Sequence, residues 1–334
     1  MFQSMDTGIA IVGSGASVPA ASVDNAGISR IVDTSDEWIS SRTGIQQRQI
    51  AGQSESLSRL AYQAAQNALE MAGIDAADVD LIVLATSTPD DLFGSASKVQ
   101  SLLGASRAVA FDLTAACSGF VFALSTAAQF IRTGVYKTVL VIGADVLSRW
   151  VDWSDRRTCV LFGDGAGAVV MKASSVDHLL GFELRSDGTQ NGCLTLSYES
   201  ESRELVDHTT VQQGTFRPIA MNGQEVYKFA VRKVPEVIEK ALFRAGADAS
   251  QLDWLLLHQA NQRILDAVSQ RLKIPPEKVM SNMAQHGNTS AASIPLALDE
   301  YVRSGKVKLG DTIAAAGFGA GLTWGAAIFQ WGEV

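Results

Sequence analysis

The spacing of apolar and polar positions predicts alternating strands and helices along most of the chain. Residues 8–12 form an apolar run that reads as a strand, with the glycine-rich stretch 13–19 as a loop after it. That start resembles a dinucleotide fingerprint, but the third glycine is missing and Pro19 interrupts the helix the motif requires. Thr34-Ser-Asp-Glu-Trp-Ile opens a short helix, with Thr34 or Ser35 as N-cap and Gly44 beyond its end. Leu57, Leu60, Ala61, Ala64, Ala68 and Met71 recur at helical spacing, and Gly73 closes that helix. Residues 80–85 read as a buried strand, and strand and helix alternate from there to Ala144. Another strand-like run ends at Asp112. After a turn of small residues, a helical pattern runs through Phe120, Phe122, Leu124, Ala127, Ala128 and Ile131 and stops at Gly134. Residues 160–171, interrupted by Gly-Asp-Gly-Ala-Gly, predict a hairpin rather than a phosphate loop, because no helix follows the glycines.

The second half repeats the first. Residues 68–84 align with 241–257, and eight of the seventeen positions are identical. Phe130-Ile-Arg-Thr-Gly134 matches Tyr301-Val-Arg-Ser-Gly305, and Gly163-Asp-Gly-Ala-Gly167 matches Gly317-Phe-Gly-Ala-Gly321. Three matches in the same order predict two similar halves, 1–175 and 176–334, packed as a layered α/β structure with both sheets covered by helices. Counting back from the shared Arg-Thr/Ser-Gly element sets Cys117 opposite Asn288. His258 follows the strand 254–257, whose counterpart 81–84 ends in a featureless Ala85. If the halves pack about a pseudo-two-fold axis, Cys117 and Asn288 begin related helices near it, and His258 leaves a strand end on the same side.

Composition narrows the chemistry. The 334 residues are 47% hydrophobic and 19% charged, as expected of a well-packed globular protein of about two domains. A net charge of −8 argues against general nucleic-acid binding and gives no overall attraction to anionic membranes. Three cysteines (Cys117, Cys159 and Cys193) are too few and too irregular for a disulfide framework or a zinc site. The first twenty residues carry Asp6 and no cationic start, and no apolar run is long enough to span a bilayer. A soluble protein of a reducing compartment is expected. No carboxylate pair, metal-ligand spacing or Walker loop occurs, so no metal site is expected.

Each candidate has two readings. Cys117 stands where a strand hands over to a helix N-terminus, which predicts a lowered thiol pKa and a nucleophile; it also suits a small buried residue. Asn288 serves as a helix N-cap or in the chemistry. His258 is a core histidine, or a functional one at the strand end where open α/β sheets hold ligands. Taken together the three form a Cys/His/Asn constellation. His178 and His208 read as surface residues, His286 as part of a loop, and Cys159 and Cys193 as unreactive. The turn at 317–321 is a tight hairpin or aims a backbone N–H at an oxyanion. Trp38 with Arg42, Arg156 and Arg157 fits ordinary packing or stacking on a nucleobase beside phosphate. Lys228, Arg232, Lys233, Arg244 and Arg263 form a solvated face or meet an acidic protein.

Seven segments together resemble the β-ketoacyl-[acyl-carrier-protein] synthase III family of thiolase-like condensing enzymes. They are Asp33-Thr-Ser-Asp-Glu-Trp-Ile, Arg42-Thr-Gly-Ile, Ala115-Ala-Cys-Ser-Gly-Phe, Phe162-Gly-Asp-Gly-Ala-Gly, His258-Gln-Ala-Asn-Gln-Arg, Gly287-Asn-Thr-Ser-Ala-Ala-Ser and Gly317-Phe-Gly-Ala-Gly. The resemblance implies a five-layered αβαβα fold, an obligate homodimer, a cytoplasmic or plastid-stroma-like setting and no permanently bound cofactor. It implies an acyltransferase of fatty acid biosynthesis that condenses acetyl-CoA, or another short acyl-CoA, with malonyl-acyl carrier protein (malonyl-ACP). Cys117 resembles the nucleophile and His258 and Asn288 its partners. The backbone N–H groups of Cys117 and Ala320 resemble the oxyanion hole. Thr34, Trp38, Arg42, Arg156 and Asn261 resemble the CoA channel. Lys228, Gln259 and Arg263 resemble the carrier-protein docking surface. Phe93 resembles the residue that crosses the dimer interface to shape the acyl pocket.

Three features depart from the family. Ala320 stands where glycine is common, Arg157 where a small residue is frequent, and a few extra residues precede the first strand. Relatives that transfer acyl groups to an alcohol or amine without decarboxylation offer the rival reading, against which Asn288 speaks. A papain-type cysteine hydrolase lacks support from the residues around Cys117. The polar stretch 186–218 is expected to contribute cover to the acyl or CoA channel.

Overall fold

The computed structural model describes residues 7–332; the extension ahead of the first strand, residues 1–6, and residues 333–334 lie outside the described residues. The first half runs β1 (Gly8–Ser17), α1 (Asp36–Thr43), α2 (Leu57–Ala72), β2 (Leu81–Ala85), α3 (Ala96–Leu103), β3 (Val109–Leu113), α4 (Gly119–Arg132), β4 (Thr138–Asp145) and β5 (Gly165–Ser174). The second runs β6 (Leu179–Ser186), β7 (Tyr198–Val206), β8 (Thr209–Phe216), α5 (Gly223–Ala245), β9 (Trp254–Leu257), α6 (Gln262–Leu272), β10 (Val279–Met280), α7 (Ser293–Arg303), β11 (Thr312–Gly319) and β12 (Thr323–Gln330). One five-stranded sheet has the order β3-β2-β4-β5-β1, and the other repeats it as β10-β9-β11-β12-β6. Directions repeat as well: the first three strands of each list are parallel, and the fourth and fifth pair antiparallel.

Strand alternation builds the layers. In β2, Leu81, Val83 and Ala85 face the central layer, where they meet Phe120, Leu124 and Ile131 of α4 and Ile294 and Leu298 of α7. Ile82 and Leu84 point the other way, against Ala61, Ala65 and Ala68 of α2. The second sheet does the same: Leu256 joins the central layer, while Leu255 and Leu257 pack with Val237 and Ile238 of α5 and Leu265 of α6. The resulting αβαβα stack is the expected one. The caps match too: Ser35 and Ser56 accept from backbone N–H groups at the starts of α1 and α2, and Gly44 (φ 82°) and Gly73 (φ 63°) close them.

Four local expectations are corrected. The strand β1 does not stop at Val12 but continues to Ser17. Its glycines are there because α2 lies against them: a Cβ at Gly13 would sit 2.5 Å from Ala68 O, and one at Gly15 2.2 Å from Ala64 O. Residues 160–171 are not a hairpin; β5 begins at Gly165, and Gly163 N–H instead donates to Asn288 O (3.0 Å). The two glycine-rich segments do not correspond in the register that their sequence match suggests. Gly143 faces Gly167 across β4 and β5, and Gly317 faces Gly325 across β11 and β12, so Gly167 corresponds to Gly325. Finally, α4 has 14 residues and α7 has 11, so counting back from the shared helix ends overshoots. Counted from β4 and β11, which pair identically with β2 and β9, Cys117 corresponds to Ala291 rather than Asn288.

Candidate active site

Cys117 lies in a single 3-10 turn, 116–118, that joins β3 to α4; a matching turn, 290–292, leads into α7. Both turns begin with a left-handed residue, Ala116 (φ 47°) and Ser290 (φ 50°). Each presses on a glycine of the opposite half. A Cβ on Gly317 would lie 3.2 Å from Cys117 O, and one on Gly143 would lie 2.2 Å from Ala291 O. A side chain at Gly319 would come within 2.6 Å of Cys117 N. Bare glycine backbone therefore lets the two halves close around the thiol.

The thiol is 8% exposed, and burial pushes its pKa up to about 12, with the Asp145 carboxylate adding to the rise. The Ser290 hydroxyl, 3.3 Å from Sγ, acts in the opposite direction. The lowered pKa expected from the helix start is thus not met, because loss of solvent and a neighbouring anion outweigh the helix dipole.

His258 follows β9 directly, and its N–H donates to Ala316 O (2.8 Å). Its Nδ1 is 2.7 Å from Ser293 Oγ, which also accepts from Gln259 N–H at 3.3 Å. A Ser293 hydroxyl that accepts from Gln259 N–H and donates its own hydrogen to Nδ1 leaves the ring proton on Nε2, the tautomer that suits a donor facing the cavity. Phe318 meets the ring edge-on at 5.3 Å, and burial pulls the imidazole pKa down to about 3. The ring is neutral and offers one N–H. Asn288 is anchored through its backbone to Leu161 and Gly163, and its Oδ1 accepts from Ser290 N–H (2.9 Å). Its Nδ2 is thereby oriented as a donor. Cys117, His258 and Asn288 line one cavity of ≈ 110 Å³ together with Phe318 and Gly319.

A second cavity of ≈ 610 Å³ adjoins Cys117 and is walled mostly by apolar side chains, among them Leu147, Trp150, Leu196 and Phe216. Ala320 borders it with ordinary negative φ, so the alanine is accommodated without backbone strain. Thr323 Oγ1 lies 3.0 Å from both Ala115 O and Ala320 O, tying the turn of Cys117 to that of Ala320. Within the polar stretch, Leu194 lines both cavities and Leu196 and Phe216 the second, while the hairpin β7–β8 is exposed along its length.

At one corner of the molecule, Trp38 is flanked by two guanidinium groups, Arg42 at 4.7 Å and Arg156 at 5.3 Å from the ring centroid. Asn261 caps α6 and donates to Arg42 O (3.1 Å), and Arg263 donates to Ser41 O (3.0 Å). Thr34 Oγ1 is buried nearby without a partner. Arg157 points elsewhere, paired with Asp155 at 2.8 Å. Lys228 is exposed and paired with Glu225 at 2.8 Å, and Lys233 and Arg244 also hold carboxylates, which thins the basic set. Phe93 is 99% exposed beside an 81% exposed Leu92.

Two assignments fail on burial. Gln259 is 0% exposed; its Nε2 donates to Leu257 O (2.7 Å) and Met280 O (3.3 Å), and its Oε1 accepts from Asn282 N–H. It staples β9 to β10 and cannot touch a docking partner. His178 is 2% exposed rather than a surface residue, while His208 sits at the tip of the exposed hairpin. His286 ends a short helix, Met283–His286, rather than lying in a loop, with Nδ1 on Gln49 (2.8 Å) and Nε2 on Glu300 (2.5 Å). Sequence reasoning passed over Ser290, Ser293 and Asp145. The two serines fall within five residues of Asn288, but nothing in a linear pattern ties Asp145 to them.

Comparison with known proteins places these features in context. Residues 111–188 match the family model described as 3-oxoacyl-[acyl-carrier-protein] synthase III, and residues 242–331 match the model of its C-terminal part. The chain is 68% identical over 326 residues to a β-ketoacyl-[acyl-carrier-protein] synthase III of Nostoc sp., covering 98% of this chain and 99% of that one. Its structure resembles 3-oxoacyl-[acyl-carrier-protein] synthase III from Aquifex aeolicus, with TM-score 0.89, 44% identity and coverage of 97% and 100%. The priming β-ketosynthase of the R1128 polyketide pathway gives TM-score 0.89 at 34% identity, covering 98% and 97%.

Proposed function

The chain belongs to the β-ketoacyl-[acyl-carrier-protein] synthase III family, and from that premise we propose how its residues carry out the initiating condensation of fatty acid synthesis. It is an acyltransferase of the condensing class with the thiolase-like fold. Cys117 Sγ attacks the thioester carbonyl of acetyl-CoA, CoA leaves, and the acyl group remains on the sulfur. Malonyl-ACP then enters and loses carbon dioxide. The enolate oxygen is received by His258 Nε2–H and Asn288 Nδ2–H, and its carbon attacks acyl-Cys117. The carbonyl oxygen is held in both acyl-transfer steps by the N–H groups of Cys117 and Ala320. Collapse frees Cys117 and yields acetoacetyl-ACP.

The observation that carries this reading is the one cavity shared by the sulfur, the imidazole and the carboxamide, with the imidazole kept neutral. A neutral Nε2–H and an amide N–H stabilise an enolate without protonating it prematurely. Trp38 between Arg42 and Arg156 suits the adenine and phosphates of CoA, with Thr34 and Asn261 lining the approach. Exposed Arg263 and Lys228 form the docking surface for the acidic carrier protein. The apolar cavity beside Cys117 takes the short acyl chain, completed by the partner subunit of a homodimer at the exposed Leu92 and Phe93. The cycle uses no resident cofactor and runs in the cytoplasm.

Incubation with acetyl-CoA and malonyl-ACP is expected to release carbon dioxide and acetoacetyl-ACP in equal amounts, with an acetyl adduct on Cys117 visible by mass spectrometry. Unimpaired condensation by Cys117→Ser would refute the nucleophile. Acyl transfer to an alcohol or amine without carbon dioxide release would favour the rival reaction.

A further inference from the structure

The cycle above leaves one ionisable group at the site unused. Asp145 ends β4 at 0% exposure beneath the turn 290–292. Its carboxylate accepts from Thr86 Oγ1 (3.2 Å), Ser87 N–H (2.8 Å), Thr88 Oγ1 (2.9 Å) and Ala291 N–H (3.2 Å). The Ser290 hydroxyl also reaches it, and the same Oγ lies 3.3 Å from Cys117 Sγ. One hydroxyl therefore bridges a thiol and a buried carboxylate.

The duplication shows that the fold does not need this pair. The correspondence that equates Cys117 with Ala291 sets Gly319 opposite Asp145 and Ala116 opposite Ser290. The other copy of the same turn thus folds with a glycine and an alanine in these places. The carboxylate and the hydroxyl stand at the turn that faces the sulfur, and their counterparts at the turn that carries it are Gly319 and Ala116.

We propose that Ser290 and Asp145 form a proton relay that activates Cys117, resting on the assignment of Cys117 as the acylated nucleophile. The Ser290 hydroxyl, which donates to Cys117 Sγ in the structure, turns to the carboxylate for the relay, and the thiol S–H then points to Ser290 Oγ. As Sγ bonds to the thioester carbon, its proton passes to Ser290 Oγ and the hydroxyl proton passes to Asp145. The carbonyl electron pair moves onto its oxygen. Collapse breaks the bond to the CoA sulfur, which leaves as thiolate and takes a proton from water. Asp145 stays neutral through the acyl-enzyme stage. When condensation expels Cys117 as thiolate, the proton returns through Ser290 to Sγ. The single proton consumed is the one taken up by CoA, which matches conversion of a malonyl carboxylate to neutral carbon dioxide. The relay moves one buried negative charge from oxygen to sulfur, rather than creating a second beside the first. Ser290 touches the reacting sulfur and is catalytic; Asp145 acts through it. Asp145 is the charged group bearing on Cys117, and the neutral His258 ring shares its cavity.

The test measures acetylation of Cys117 by acetyl-CoA in rapid-quench mass spectrometry, together with its pH profile and solvent deuterium isotope effect. Ser290→Ala and Asp145→Asn are each expected to slow acetylation by about 100-fold, the usual scale of general acid–base help, and to abolish the isotope effect. Ala116 holds the same left-handed conformation, so Ser290→Ala keeps the backbone and carries the test should Asp145→Asn fail to fold. The sign of the Asp145→Asn effect is decisive. If the carboxylate merely repels the thiolate, its neutralisation speeds acetylation. Acetylation by Asp145→Asn as fast as or faster than wild type, or an unchanged Ser290→Ala, overturns the relay. Wild-type protein that takes no acetyl on Cys117 overturns it together with the assignment it rests on.

Discussion

Cys117 and His258 are both held uncharged by the same cause, removal from water. For His258 this has a consequence for stability. In the unfolded chain the imidazole titrates near 6.5, and in the native protein near 3. Between those values the unfolded chain binds a proton that the native protein does not. The contribution is therefore complete above pH 6.5 and is lost as pH falls, by about 1.4 kcal/mol per pH unit. Urea titrations from pH 7 to pH 4 are expected to show this slope in wild type and a flatter one in His258→Gln. Ser293→Ala removes the hydroxyl that holds the proton on Nε2, so condensation is expected to fall by about 10-fold or more while acetylation of Cys117 stays near wild type. Equal losses in both half-reactions would argue against a tautomer-setting role. Ala320→Gly is expected to leave both rates within a few-fold, because the backbone N–H survives and the alanine sits at negative φ.

The paired turns ahead of α4 and α7 bring residues from distant parts of the chain together, and glycine decides how closely. At Gly143 an added Cβ would lie 2.2 Å from Ala291 O, a backbone atom with no freedom to retreat. Gly143→Ala is expected to cost about 2 kcal/mol or more, read as a lower melting temperature, and to displace Ser290 and Asn288 with it. Gly319→Ala, whose Cβ would meet Cys117 N at 2.6 Å, disturbs the oxyanion donor itself, so acetylation is expected to drop before stability does. These elements were largely legible from periodicity, since α2, α4, β2 and β9 fall close to where apolar spacing and end signals set them. The glycines of β1 suggest a loop in the linear pattern, whereas they answer to the close approach of α2. The residues at 160–164 read as strand by hydrophobicity, yet tertiary contacts with Asn288 hold them in a loop.

At the scale of the whole molecule, two copies of one unit face each other and differ where the chemistry lies. Leu92 and Phe93 stand side by side almost fully exposed, an apolar surface that a partner would cover. Phe93→Asp is expected to shift the protein from dimer to monomer in sedimentation equilibrium and to depress condensation. A wild-type protein that sediments as a monomer would remove the interface. The duplication itself was written in the sequence, because β2 and β9 and the helix ends keep recognisable residues that pack in the same way. The positions of Cys117 and His258 at a strand-to-helix turn and a strand end were legible too, whereas Asn288 was reached through a count between the halves that the structure corrects. What the tertiary structure decided was register and surroundings. Three residues lost from α7 moved the counterpart of Cys117 to Ala291, burial withdrew Gln259 from the surface and raised the thiol pKa, and Asp145 met Ser290 across the interface between the halves. Local pattern determines which element a residue joins; solvent access and long-range neighbours, which set charge state and reactivity, arise when the two sheets close on each other.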